Sequence, residues 1–112
     1  MRTPKHLAQA NPLGPALQRF FCQYLIGQRN LSPRTISAYR DTFKLLLHFL
    51  ERRFRKNADE LSVADLDAPH ILAFLDDLER RRENSARSRN ARLAAIRSFI
   101  RRVGTHVESI PT

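Results

Sequence analysis

Apolar side chains recur at spacings of three and four along most of the chain, the period of helices with one buried face. Leu17, Phe20, Phe21, Tyr24 and Leu25 carry it first and predict helix 1 over residues 15–29. Asn30-Leu31-Ser32-Pro33 breaks the pattern and restarts it, with Ser32 as N-cap, Pro33 at the first helical position, and Leu31 and Ile36 spaced to form a hydrophobic staple. Helix 2 then runs to about Phe54, with Ile36, Tyr39, Phe43, Leu46, Leu47 and Leu50 on one face and Arg34, Ser37, Asp41, Lys44 and His48 on the other. Arg40 lies at the border of that polar face.

Residues 56–66 form a connector with a short turn from Ser62 to Leu66. Asp67 caps helix 3, Pro69 sits in its first turn, and Leu66 and Ile71 repeat the staple. Helix 3 buries Ile71, Phe74, Leu75 and Leu78. Helix 4 starts near Ser85, turns Leu93, Ile96, Phe99, Ile100 and Val103 to the core, and stops at Gly104. The pattern predicts an all-α bundle of four helices over residues 15–103. Residues 1–14, with two prolines, Asn11 and Gly14, read as a flexible leader, and residues 104–112 show no period.

Composition narrows the setting. At 112 residues the chain holds one domain. A single cysteine, Cys22, excludes an internal disulfide framework, and its place in the apolar half of helix 1 makes it a core thiol. The longest aliphatic run is Leu45-Leu46-Leu47, too short for a bilayer, and residues 1–14 lack the apolar stretch of a secretory signal. A cytoplasmic protein with no membrane partner is expected.

Charge changes the picture more. The net charge is +9, and seventeen of the twenty basic residues are arginine. Residues 1–58 balance at +9, residues 59–79 hold seven acids and no Lys or Arg, and residues 80–103 return to +8. Two basic regions separated by an acidic one suggest a folded object with a basic side and an anionic partner.

Many of these arginines need no ligand. Arg80, Arg81 and Arg82 end helix 3, Arg52, Arg53 and Arg55 end helix 2, and Arg101 and Arg102 end helix 4. Cations there favour the negative dipole end by about 0.3–1 kcal/mol each. Arg34, Arg87 and Arg89 lie instead in the first turns of helices 2 and 4, where a cation is unfavourable. An anion at both helix starts would resolve that conflict, because free N–H groups and arginine forks meet there. The outward face of helix 4 carries Arg87, Asn90, Ala91, Ala94, Arg97, Ser98 and Arg101. Small residues between arginines let such a helix approach a grooved partner closely, and Asn and Arg can read base edges. The same face also suits packing against another protein, so a helical interaction module that docks an acidic partner, or itself, is the alternative reading.

Catalytic constellations are weak throughout. His6, His48, His70 and His106 are scattered, Tyr24 and Tyr39 occupy apolar or border positions, and no Gly-rich phosphate loop occurs. No cofactor or metal site is expected.

Three segments, LSPRTISAYRDTFKLLLHFL, LDAPHILAFLDDLE and NSARSRNARLAAIRSFIRRV, together resemble the N-terminal core-binding domain of tyrosine recombinases, the phage-type integrases. The likeness covers about residues 13–103. It implies a four- to five-helix orthogonal, SAM-like bundle covering one face of double-stranded DNA. A separate C-terminal catalytic domain would cover the other face, and further protomers would share the DNA. The family presents helices 2 and 4 to DNA, which corresponds here to Arg34, Thr35, Arg40 and Lys44, and to Ser85, Arg87, Ser88, Arg89, Asn90 and Arg97. The recombinase's catalytic arginine, histidine and nucleophilic tyrosine motifs have no counterpart in the chain. Residues 104–112 look like the start of a linker to that domain. The resemblance therefore implies an excised domain or truncated gene product, non-catalytic by itself.

Overall fold

Ser32 opens the longest helix as predicted. In the computed structural model, which describes residues 12–27, 31–82 and 86–103, the Thr35 N–H donates to Ser32 Oγ at 3.2 Å, and Pro33 takes the first helical position. The first helix, α1, spans Leu13–Arg19 and continues as a π-helical segment over Phe20–Ile26. Then come α2 (Pro33–Phe54), α3 (Ala68–Arg82) and α4 (Ala86–Val103). Two single 3₁₀ turns, Ala58–Glu60 and Val63–Asp65, punctuate the connector between α2 and α3. The described residues form an all-α bundle, with one isolated antiparallel bridge between Pro12 and Ser62.

Local chemistry accounts for most element boundaries. Asp67 accepts from the His70 N–H at 3.1 Å and so caps α3, while Leu66 and Ile71 are both fully buried on either side of the cap. Leu31 and Ile36 flank the α2 cap in the same way, partly buried against the core. In the connector, the side chains of Glu60 and Asp65 accept from the N–H groups of Asn57 (3.0 Å) and Ser62 (2.9 Å). α2 ends at Arg55, a non-glycine residue at φ 55°, where the Lys56 N–H returns to the Glu51 carbonyl at 3.2 Å.

The first helix departs from expectation in three ways. It begins at Leu13 rather than Pro15, because the Leu13 N–H donates to the Leu61 carbonyl (3.0 Å) and its side chain is fully buried. The end of the supposed leader is therefore part of the fold. The π segment pairs residues five apart, so Phe20 and Leu25 share the buried side and Cys22 is turned to the surface. The core-thiol expectation is thus corrected. Gly27 closes the segment where a Cβ would lie 2.8 Å from the Gln23 carbonyl oxygen, a contact only glycine avoids.

α2 packs against the π segment, α3 and α4. Phe20, Phe43 and Phe99 meet at its centre with centroid separations of 5.3–6.1 Å in edge-to-face geometry. Phe49 and Phe74 extend the core toward the connector. This arrangement fixes α2 as the element that both α3 and α4 flank, and it sets which polar side chains face one another. The predicted end of helix 1 at Arg29, the start of helix 4 at Ser85, the Gly104 stop, the leader up to residue 11 and the 104–112 tail lie outside the described residues.

Candidate nucleic-acid interface

The starts of α2 and α4 meet. Between them lies a shallow cleft of about 400 Å³ lined by Arg34, Thr35, Ala38, Tyr39, Asp41 and Thr42 from α2 and by Ser88, Ala91 and Arg92 from α4. Small residues on both helices (Ala38, Ala91) keep the cleft open. Arg34 is exposed at its mouth. The Thr35 hydroxyl accepts from Ser32 Oγ at 3.0 Å, which orients its own proton for donation elsewhere.

Arg92 is the residue that sequence reasoning missed. Its Nε is buried and has no hydrogen-bond partner, a state that costs about 1–3 kcal/mol when left uncompensated. Position on α4 held the signal: Arg92 lies one turn after Ser88 and one turn before the buried Ile96, on the flank that meets α2. Only the placement of α2 makes that flank a cleft wall.

Structure divides the remaining candidates. Arg40 points away from the cleft and lies over the Phe21 ring of the π segment, 5.8 Å from its centroid. Lys44 is exposed on the outer stripe of α2 without an ion pair among the described residues. Arg87 and Asn90 are exposed on the outer face of α4, near the cleft, and Arg97 is half-buried farther along the helix. Ser85 lies outside the described residues.

Arg89 has a different destination. Its Nη1 donates to Asp76 (3.0 Å) and lies 3.2 Å from a carboxylate oxygen of Glu79, both on α3. The anion that its place in the first turn of α4 seemed to require is supplied inside the fold. Asp76 is therefore more than a solvated acid. Its neighbour Asp77 is likewise engaged, with Arg52, Arg80 and Arg81 gathered around it at 3.5, 3.9 and 3.6 Å. Arginines at the ends of α2 and α3 thus find their partner on α3, in addition to the helix dipoles.

No group of three or more His, Cys, Asp or Glu side chains among the described residues is placed to hold a metal ion. Tyr24 and Tyr39 are half-buried, Tyr24 stacking on Phe20 with a centroid distance of 5.6 Å. No described helix is long and apolar enough to cross a membrane.

Residues 17–102 match the family described as phage integrase, N-terminal SAM-like domain. The chain belongs to this family. Its motifs fall where the integrase resemblance placed them: Leu-Ser-Pro at the α2 cap, Leu-Asp at the α3 cap, and the Ser/Arg/Asn-rich run opening α4. Over 89 residues the chain is 58% identical to "Putative integrase/recombinase y4rC" of Sinorhizobium fredii, covering 80% of this chain and 27% of that protein. A second protein of the same organism, "Putative integrase/recombinase y4rD", is 47% identical over 91 residues, 81% of this chain and 32% of its own length. The integrase-type domain therefore spans about a third or less of the curated relatives it matches. No solved structure gives a significant match.

Proposed function

We propose that this domain binds double-stranded DNA as the N-terminal clamp of a site-specific recombinase, and that the α2–α4 cleft seats the phosphate backbone. One observation carries the reading. At the starts of α2 and α4, the exposed Arg34, the hydroxyl-bearing Thr35 and Ser88, and Arg92, whose Nε is buried without a partner, line one open cleft. Phosphate is the ligand whose oxygens suit guanidinium forks, hydroxyl donors and helix N-termini together. Arg87 and Asn90, exposed beside the cleft, extend the contact onto the outer face of α4 and are placed to meet base edges. Arg40 and Lys44 contribute to the approach field from other faces of α2. Arg89 acts on DNA only indirectly, by fixing the start of α4 against α3. Catalysis, in this reading, belongs to a separate C-terminal domain, with which this one would close around the duplex alongside further protomers.

The decisive measurement is a salt titration of binding to a labelled duplex between roughly 50 and 200 mM salt. Each phosphate neutralised adds about 0.9 to the steepness of log K against log salt, so Arg34, Arg87 and Arg92 together give a slope of at least about −2.7. Arg34→Ala with Arg87→Ala should flatten the slope by about 1.8, whereas Arg53→Ala, at the far end of α2, should leave it nearly unchanged. A flat slope for the unaltered domain, or equal losses for all three substitutions, refutes the assignment. Self-association through α4 in the absence of DNA, seen by size exclusion and abolished by altering Ala91 and Ala94, would favour the interaction-module reading instead.

A further inference from the structure

Residues Arg34, Ala38, Asp41, Leu45, His48 and Arg52 recur on α2 at alternating spacings of four and three, so they form one stripe along the helix. The α2–α4 cleft opens on the first half of this stripe. A second cleft, of about 330 Å³ between α2 and α3, opens on the other half and is walled by His48, Arg52 and Arg81, with Asp77 between them. Arg52 lies eighteen positions after Arg34. At 1.5 Å per residue the stripe is about 27 Å long, which matches the rise of about eight phosphates along one DNA strand.

The ion pairs of the second cleft are not closed. Asp77 faces three guanidiniums, those of Arg52, Arg80 and Arg81, none closer than 3.5 Å. The hydrogen-bonded pair of Arg89 and Asp76, by contrast, is 3.0 Å apart. Charge-assisted N–H···O bonds close to about 2.7–2.9 Å, so these arginines are gathered near the carboxylate without being consumed by it. The C-terminal ends of α2 and α3 add about half a negative charge each. With Arg80, which stands outside the cleft wall, the three guanidiniums exceed Asp77 and the two helix ends by about one positive charge, while Arg52 and Arg81 alone are just balanced. The side chains of Arg52 and Arg81 remain 53% and 59% exposed, respectively.

We propose that the α2–α3 cleft formed by His48, Arg52 and Arg81 is a second phosphate seat, which continues the DNA track of the α2–α4 cleft along the same stripe of α2. This rests on the DNA-binding reading, and it changes the expected footprint: α2 contacts the backbone at both ends rather than only at its start. Asp77 acts as a positioning residue that holds the arginines together. Arg80, which does not line the cleft, contributes only to the general field.

The test compares salt slopes for the unaltered domain, for Arg52→Gln with Arg81→Gln, and for Arg80→Gln, on a labelled duplex longer than one helical turn (about 10 bp). The double substitution should lower the steepness by about 1.8, the single one should not, and Arg52→Lys with Arg81→Lys should restore most of the slope, since lysine keeps the charge. Thermal melts confirm that each variant is folded. An unchanged slope for the double glutamine variant, with the unaltered slope steep and sensitive to Arg34 and Arg87, overturns the second seat alone. A flat slope for the unaltered domain overturns the DNA reading beneath it.

Discussion

Arg89 offers the sharpest separation between residues that serve the fold and residues that serve the ligand. Arg89→Ala removes a side chain that is 27% exposed and whose guanidinium lies 3.0 and 3.2 Å from two α3 carboxylates. Partly exposed pairs of this kind contribute about 0.2–1 kcal/mol each. Both partners share one nitrogen, and both carboxylates are well exposed (56% and 39%), so the two pairs together contribute about 1 kcal/mol. Against this, the substitution relieves a cation in the first turn of α4, worth about 0.3 kcal/mol at the low end. The net loss is about 0.5–1 kcal/mol, a fall in melting temperature of roughly 2–8 °C for a domain of this size. Urea denaturation at low and at high salt is the assay, because screening should shrink the difference between variant and parent at high salt. The DNA salt slope of the variant should stay at the parent value. Unchanged stability at both salts, combined with a slope shallower by about 0.9, would show that the guanidinium serves a phosphate and that its α3 pairing is incidental.

Other expectations follow from the packing. Phe99→Ala removes a fully buried ring that meets Phe20 at 5.3 Å and Phe43 at 5.5 Å; chemical denaturation should record a loss of about 3–5 kcal/mol, and a loss under about 1 kcal/mol would contradict this core. Arg55→Gly should stabilise by about 0.5 kcal/mol, since Arg55 holds φ 55° at the end of α2, and a decrease in the urea midpoint would contradict the left-handed cap. Cys22, exposed on the π segment, should react with a thiol reagent in the folded protein as fast as in denaturant, whereas strong protection would return it to the core.

Much of the architecture was legible because its causes are local. The Ser32 and Asp67 caps, their staples and the Ser62–Leu66 turn each depend on residues within a few positions of one another, so spacing alone exposes them. The first helix was legible in its face but not in its register. A π segment pairs residues five apart instead of four, and this shift buries Leu25 with Phe20 while exposing Cys22. Nothing in the alternation of apolar residues distinguishes that pairing from an ordinary turn.

Charge placement tells the same story at longer range. The sequence by itself determined an all-α chain, four amphipathic faces, the family to which the chain belongs, and the fact that Arg34, Arg87 and Arg89 sit where helix dipoles oppose them. Tertiary structure resolves one of these conflicts, that of Arg89. Arg89 and Asp76 are thirteen positions apart and meet only because α3 lies beside the start of α4. Arg34 and Arg92 share a cleft only because α2 is packed between its neighbours. Helical periodicity fixes the direction of a side chain around its own axis, whereas the partner across an interface is set by where a second axis lies. That second axis is fixed by burial of Phe20, Phe43, Phe99 and the leucines around them, and so the core chooses which arginines pair inward and which remain exposed.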